Sequence, residues 1–255
     1  WELLAALEES GKFTHALTWG NHRWLVFNNF WQVTNALIGH DVGEGILKGT
    51  YKLDSPEMIE VWEYYEKIAQ NGYADVDWPA LEWGIQEANF ANQMYGSFLQ
   101  GPWVFNSYAK INPEADLGAF PFPTHDGSNR DRVGFLETRN WWVPKEYPDR
   151  DAQIRSMEFI TSEEYADSQL EDAGMMPMYE KEYTVDSPVI ERMASQGHGI
   201  ASQANDTVDL LVPSGKQGFH AFGFENLPKL TSGELTAAEF GAMFEDYYKE
   251  FRMEA

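Results

Sequence analysis

Glu82-Trp83-Gly84-Ile85-Gln86-Glu87-Ala88-Asn89-Phe90-Ala91-Asn92-Gln93-Met94 runs on through Tyr95-Gly96-Ser97-Phe98 and, past Leu99 and Gln100, into Gly101-Pro102-Trp103. The first part has the spacing of a helix, from about Trp83 to Phe90. The residues from 94 to 98 form a short strand of small and aromatic side chains. Proline then ends it, because its ring fixes φ and it has no N–H to give to a ladder. Helix, strand and turn in that order make an α/β unit, with Trp103 left at the mouth of a loop, where binding groups are disproportionately found.

The same alternation extends outward in both directions. Trp1-Glu2-Leu3-Leu4-Ala5-Ala6-Leu7 is helix-periodic and stops near Ser10-Gly11, and residues 16–19 then form a strand. The loop Gly20-Asn21-His22-Arg23-Trp24 follows, polar groups beside an aromatic ring. Helical spacing resumes through Phe27, Phe30, Trp31, Thr34 and Leu37 until the glycines at 39, 43, 45 and 49 break it. Asp54-Ser55-Pro56 opens a strong helix, with Asp54 or Ser55 as N-cap, an apolar face of Met58, Val61, Trp62, Tyr65, Ile68 and Ala69, and Gly72 at C′. Beyond the turn, residues 117–120 form a strand closed by Pro121 and Pro123, and the polar stretch 124–132 is the best linker in the chain. A further strand at Trp141-Trp142-Val143 precedes helices over about 152–160 and 163–173, the second opened by Ser162 and closed by Gly174. Ser187-Pro188 and the capping box Thr236-Ala237-Ala238-Glu239 start two later helices, the last burying Phe240, Met243, Phe244, Tyr247, Tyr248 and Phe251. The fold class is α/β.

Composition excludes several functions. Lys and Arg number 18 against 41 Asp and Glu, a formal charge of −23. Such a surface repels nucleic acid and anionic lipid, and keeps a protein soluble and monomeric. With 43% hydrophobic and 15% aromatic residues the chain can build a core. The absence of cysteine removes disulfides, thiolate metal sites and Cys nucleophiles. No run reaches the ~18 apolar residues of a membrane span. The chain opens on a helix without an initiator Met or an N-cap residue, which points to a fragment whose N-terminus, with any export signal or lipid anchor, lies elsewhere.

Nothing marks an enzyme. There is no Gly-rich phosphate loop, no His-Glu-x-x-His and no Gly-x-Ser-x-Gly, and the six histidines are isolated, so no cofactor and no metal is expected. Trp62, Tyr65, Phe240 and Tyr247 sit on periodic helical faces and belong to the core. Trp24, Trp103, Phe219 and Phe222 instead lie in or beside loops punctuated by Gly or Pro. A pyranose offers C–H groups on its faces and hydroxyls on its edge, so its site needs flat aromatic surface with polar groups converging on the rim. Asn21, His22, Arg23, Glu137, Arg139 and His220 can supply that rim. Two other chemistries use the same residues: a phosphate-bearing solute such as glycerol phosphate clamped by Arg23 and Arg139, and glycoside hydrolysis by a carboxylate pair.

The order of these elements resembles the later part of the family-1 extracellular solute-binding proteins of ABC importers, the maltose-binding-protein-like, carbohydrate type. The segment from Glu82 to Trp103 carries the resemblance most clearly. The opening Trp1-Glu2-Leu3-Leu4, the exit Phe120-Pro121-Phe122-Pro123, Phe159-Ile160-Thr161-Ser162-Glu163-Glu164 and the turn Gly174-Met175-Met176-Pro177 support it. The resemblance implies a two-lobed periplasmic-binding-protein-like clamp (type II) with most of the N-terminal lobe missing. Residues 1–122 and 178–255 would form the C-terminal lobe, and 123–177 would cross into the other. It implies a stacking role for Trp103, a second aromatic position at His220 flanked by Phe219, and Met176 in the site. It also implies a sugar ligand, membrane permease subunits as partners, and a periplasmic or extracellular location that leaves a lipid anchor open. Gly134-Phe135-Leu136-Glu137-Thr138-Arg139 departs from the Gly-Gly pair of many sugar binders.

Overall fold

The computed structural model describes residues 1–19, 23–39, 42–75, 77–101, 103–120, 122–123, 132–133, 144–146, 148–174, 197–198, 208 and 211–252, with backbone alone at 23–28, 132–133, 173 and 197–198. Its helices are α1 (Glu2–Glu9), α2 (Arg23–Leu37), α3 (Val42–Lys48), α4 (Pro56–Gln70), α5 (Trp83–Ala91), α6 (Val104–Ile111), α7 (Arg150–Ile160), α8 (Glu163–Ala173), α9 (Phe219–Thr231) and α10 (Ala237–Tyr248). None of the described helices is long and apolar enough to cross a membrane.

Local signals set most helix starts. Ser55 caps α4, its hydroxyl accepting from Met58 N–H with proline next in line, and Gly72 follows the C-terminus at φ +68°. Ser162 caps α8, and Gly174 ends it in the left-handed region. Thr236 and Glu239 form the reciprocal capping box that opens α10.

The main core lies where α2, α4, α9 and α10 meet. Trp62 of α4 is fully buried and donates its indole N–H to the Leu53 carbonyl at 2.9 Å. Phe30 of α2 stacks on it, centroids 5.1 Å apart, while Phe240 and Phe244 of α10 close the other side. The buried Glu245–Arg252 pair ties the end of α10 to the Leu53 N–H and the Ile46 carbonyl. Ala91, Val104 and Tyr108 centre a smaller cluster between α5 and α6.

Strand structure is sparse among the described residues. The run 15–18 is flanked on one side by Ala74, bridged in parallel to Leu17, and on the other by Tyr95 and Phe98, bridged in parallel to His15 and Thr18. Ala16, Leu17, Thr18 and Trp19 are all buried. A separate two-stranded parallel ladder joins β1 (Arg132–Val133) to β2 (Gly197–His198).

Four expectations are corrected. Residues 42–48 are helical despite Gly43 and Gly45, because α3 packs so closely on Tyr51 that a Cβ on Gly45 would sit 2.1 Å from its ring. Residues 117–120 make no ladder; Phe120 is 61% exposed. Arg23 and Trp24 begin α2 and are not loop residues. The expected loop around Phe219 and His220 is the first turn of α9, which continues as a helix through Pro228 to Thr231. Trp141-Trp142-Val143 and the helix at Ser187-Pro188 lie outside the described residues.

Candidate functional site

Two parallel pairings set the geometry of the candidate edge. His15 pairs with Tyr95 and Thr18 with Phe98, in one register, so the two runs lie side by side in the same direction. The Ser97 carbonyl accepts from Thr18 N–H at 3.1 Å, and the Ser97 hydroxyl donates to the Ala16 carbonyl at 2.7 Å. One run reaches Trp19, and α2 begins at Arg23. Beyond the other lies the turn at Gly101 and the start of α6. Ligands of α/β sheets bind at this edge, outside the carboxyl ends of the strands. Gln86 of α5 braces it from below, its fully buried amide donating to the Thr18 hydroxyl at 2.6 Å.

Trp103 holds the N-cap position of α6 and is half-buried. It packs against the buried trio of Ala91, Val104 and Tyr108, as do Phe90, Phe98, Phe105 and Leu117. Its six-membered ring lies over Gly101, so close that a Cβ there would fall 2.1 Å from ring carbons. Gln100 fastens the same turn by accepting from Gly101 N–H at 2.9 Å. Glycine at 101 is therefore required by the ring's position. Gly101→Ala should push the indole off its seat and, where Trp103 serves as the ligand anchor proposed below, weaken binding about tenfold. Near-ultraviolet circular dichroism of the Trp bands, beside a binding titration, would check it.

The other candidates are distributed as follows. Arg23 and Trp24 occupy the first turn of α2, at the same edge. His220, half-buried in the first turn of α9, accepts the Trp31 indole N–H at 3.0 Å. An indole nitrogen can only donate, so His220 Nε2 is the acceptor, and the neutral ring carries its proton on Nδ1. Phe219 is corrected to a core residue: it is fully buried, stacked on Trp31 and packed on Phe244 and Tyr248. Phe222 is half-buried and stacks on Tyr247 with centroids 3.9 Å apart. Neither ring presents a loop face. Asn21, His22, Glu137, Arg139 and Met176 lie outside the described residues.

A cavity of about 320 Å³ opens behind the turn, between residues 93–101, residues 116–123 and α1. Its walls include Phe13, Phe90, Phe98, Phe105 and Leu117, with few polar groups. Burial pushes the Tyr108 phenol up, helped by the charge of Glu87, and pushes the Glu87 carboxyl up against a hydrogen bond from Trp83. This wall lacks the converging donors and acceptors a sugar edge needs, so the carboxyl-end edge is the better site. Among the described residues no three His, Asp or Glu side chains gather as a metal site.

Solved structures share this fold at low identity. A chitin oligosaccharide binding protein is 18% identical with a TM-score of 0.72, over 97% of this chain and 62% of its own. A sugar transporter of Bacillus licheniformis, in complex with stachyose, is 14% identical with a TM-score of 0.69, over 98% of this chain and 65% of its own. The bacterial solute receptor AcbH, described as preferring β-D-galactopyranose exclusively, is 16% identical with a TM-score of 0.69, over 99% and 65%. The chain thus spans under two thirds of the length of these structures, and its fold is that of the matching part of their two-lobed α/β clamps. No curated protein matches the sequence. A family profile described as bacterial extracellular solute-binding protein matches residues 1–194 of the 255. With that match over most of its length, and with the fold of the clamps, the chain belongs to the bacterial extracellular solute-binding proteins.

Proposed function

We propose that this protein is the substrate-binding component of an ABC importer and that it captures a sugar between two lobes. The observation that carries the reading is the parallel pairing of Thr18 with Phe98, which brings the start of α2 and the Trp103 turn to one edge. In this reading the half-buried Trp103 stacks the ligand, and Asn21, His22 and Arg23, which precede or begin α2 in the sequence, supply polar rim groups. A ring that stacks a sugar face and a polar rim that replaces water around its hydroxyls are the two requirements of such a site. The sugars named for the neighbouring structures support the same substrate class.

In this reading residues 1–122 and 178–255 form one lobe and 123–177 contribute to the other, supplying Glu137, Arg139 and Met176 from across the cleft. His220 lines the first lobe. Closure follows because the closed state alone touches the ligand from both sides. Membrane permease subunits would then take the loaded, closed form outside the cytoplasmic membrane, the protein acting as a monomer and binding without chemical change.

A thermal-shift screen of mono- and oligosaccharides tests this directly. A sugar at a hundred times its dissociation constant should stabilise the protein by about 2.7 kcal/mol. A shift with glycerol phosphate and none with any sugar would overturn the substrate class. Release of sugar products would overturn the binding-protein reading.

A further inference from the structure

The C-terminus of α8 reaches the helix that carries Trp103. Helices leave their last carbonyls without intrahelical partners, and these must be met from elsewhere. In α8 the Gly174 N–H turns back to the Gln169 and Leu170 carbonyls. The next two, on Glu171 and Asp172, both accept from the side-chain amide of Asn106, at 3.3 and 3.0 Å. Asn106 lies on α6, 65 residues away in sequence.

Charge makes this bond matter more than its exposure suggests. The last turn of α8 contains Glu171 and Asp172 and no basic residue. The negative end of the helix dipole is therefore reinforced by two carboxylates instead of being offset by a cation. An amide N–H₂ is a donor that can approach such an end without adding charge of its own. Position matters too. Asn106 follows Trp103 by three residues, so the two share one face of α6. Docking α8 there sets its last carbonyls on that face, and Gly174 beyond them is buried. The chain continues from it into Met175, Met176 and Pro177.

We infer that Asn106 is a positioning residue: by capping the C-terminus of α8 it holds that helix end on the face of α6 that carries Trp103. The role in binding rests on the sugar-site reading above, and the docking itself does not. In that reading α6 and α8 belong to different lobes, so the Asn106 bonds link the two lobes, and losing them speeds ligand release.

The test compares Asn106→Asp with Asn106→Ala. Aspartate has the same shape but replaces a donor with a charged acceptor facing two carbonyls and two carboxylates. A side chain that only fills space would tolerate aspartate better than alanine; a donor to a helix end would tolerate it worse. Because the sequence has no cysteine, Lys110→Cys on α6 and Glu164→Cys on α8, both exposed, take spin labels uniquely. The unsubstituted pair should give one narrow distance distribution, Asn106→Ala a broader one, and Asn106→Asp the broadest. Titrations with stachyose and with chitin oligosaccharides should show affinity about threefold lower for the alanine variant and about tenfold lower for the aspartate variant, mostly through faster dissociation. An unchanged distribution in Asn106→Asp overturns the docking role; if the aspartate variant fails to fold, an unchanged distribution in Asn106→Ala overturns it equally. A broadened distribution with undiminished affinity overturns the role in binding. If the distribution broadens as expected but the unsubstituted protein binds neither sugar, the docking stands and the sugar reading falls.

Discussion

Trp103→Ala is expected to weaken sugar binding about tenfold or more while costing the fold only about 1 kcal/mol. The two halves follow from where the ring sits. A stacking platform of hot-spot type contributes about 2 kcal/mol to binding, and each 1.4 kcal/mol is a factor of ten. A fully buried Trp truncated to Ala would instead cost about 3–5 kcal/mol of stability. Trp103 is only half-buried, packing against the cluster of Ala91, Val104 and Tyr108 at the N-terminus of α6, in contrast to Trp62, which has no exposed surface. Isothermal titration with the sugar found in the thermal screen, beside a urea melt, measures both quantities on one variant. A sharp loss of stability with unchanged affinity would make Trp103 a packing residue and remove the centre of the proposed site.

The second large effect lies far from that edge. Glu245→Ala should destabilise the protein by about 3–5 kcal/mol, because it leaves the Arg252 guanidinium buried without its partner and the Leu53 N–H without an acceptor. Both side chains of the pair are nearly enclosed, at 13% and 11% exposure, so water cannot replace the lost contacts. The pair also sets a pH dependence. Burial by itself pushes the Glu245 carboxyl up, but the Arg252 hydrogen bond, the Leu53 N–H and the nearby cationic charges outweigh it and hold the group below its ordinary value. The unfolded chain therefore takes up this proton more readily than the native one. The stability it contributes is complete above the ordinary glutamate range and is lost as pH falls through the lower native value. Urea melts at about pH 7 and about pH 3 should show the gap between wild type and Glu245→Gln narrowing in acid. A gap that is the same at both would mean that the carboxylate's charge is not what holds the Leu53 segment to α10.

What could be read in the sequence was local. Ser55 before Pro56, Ser162 before Glu163 and the Thr236–Glu239 box each place a side-chain oxygen where the first free N–H groups of a helix will be, so the cap and its helix are written together in a few residues. The apolar face of α4, with Trp62 and Tyr65, is legible for the same reason: every third or fourth residue points one way, and those residues are buried. The helix α9 was not legible. Gly223 and Pro228 both argue against a helix, and the aromatic run at its start imitates a binding loop. Packing decides it: Phe219, Leu227 and Leu230 are driven into the core between α2, α4 and α10, and their burial outweighs the propensity cost. Gly43 and Gly45 mislead in the same sense, since the close approach of Tyr51 needs the absence of a Cβ and not a break in the helix.

The candidate site divides along the same line. The sequence by itself determined that Trp103 follows a strand and a Gly-Pro turn and that a polar segment precedes α2, because both depend on neighbours along the chain. Only the tertiary structure decided that the run ending at Trp19 and the run leading to the Trp103 turn lie side by side, since that depends on Thr18 pairing with Phe98 in parallel, 80 residues apart. It also decided that Phe219 belongs to the core and that Asn106 meets the end of α8. Periodicity and capping are written in adjacent residues, whereas strand register and helix docking are chosen by which distant surfaces bury each other best, and no short stretch of sequence carries that choice.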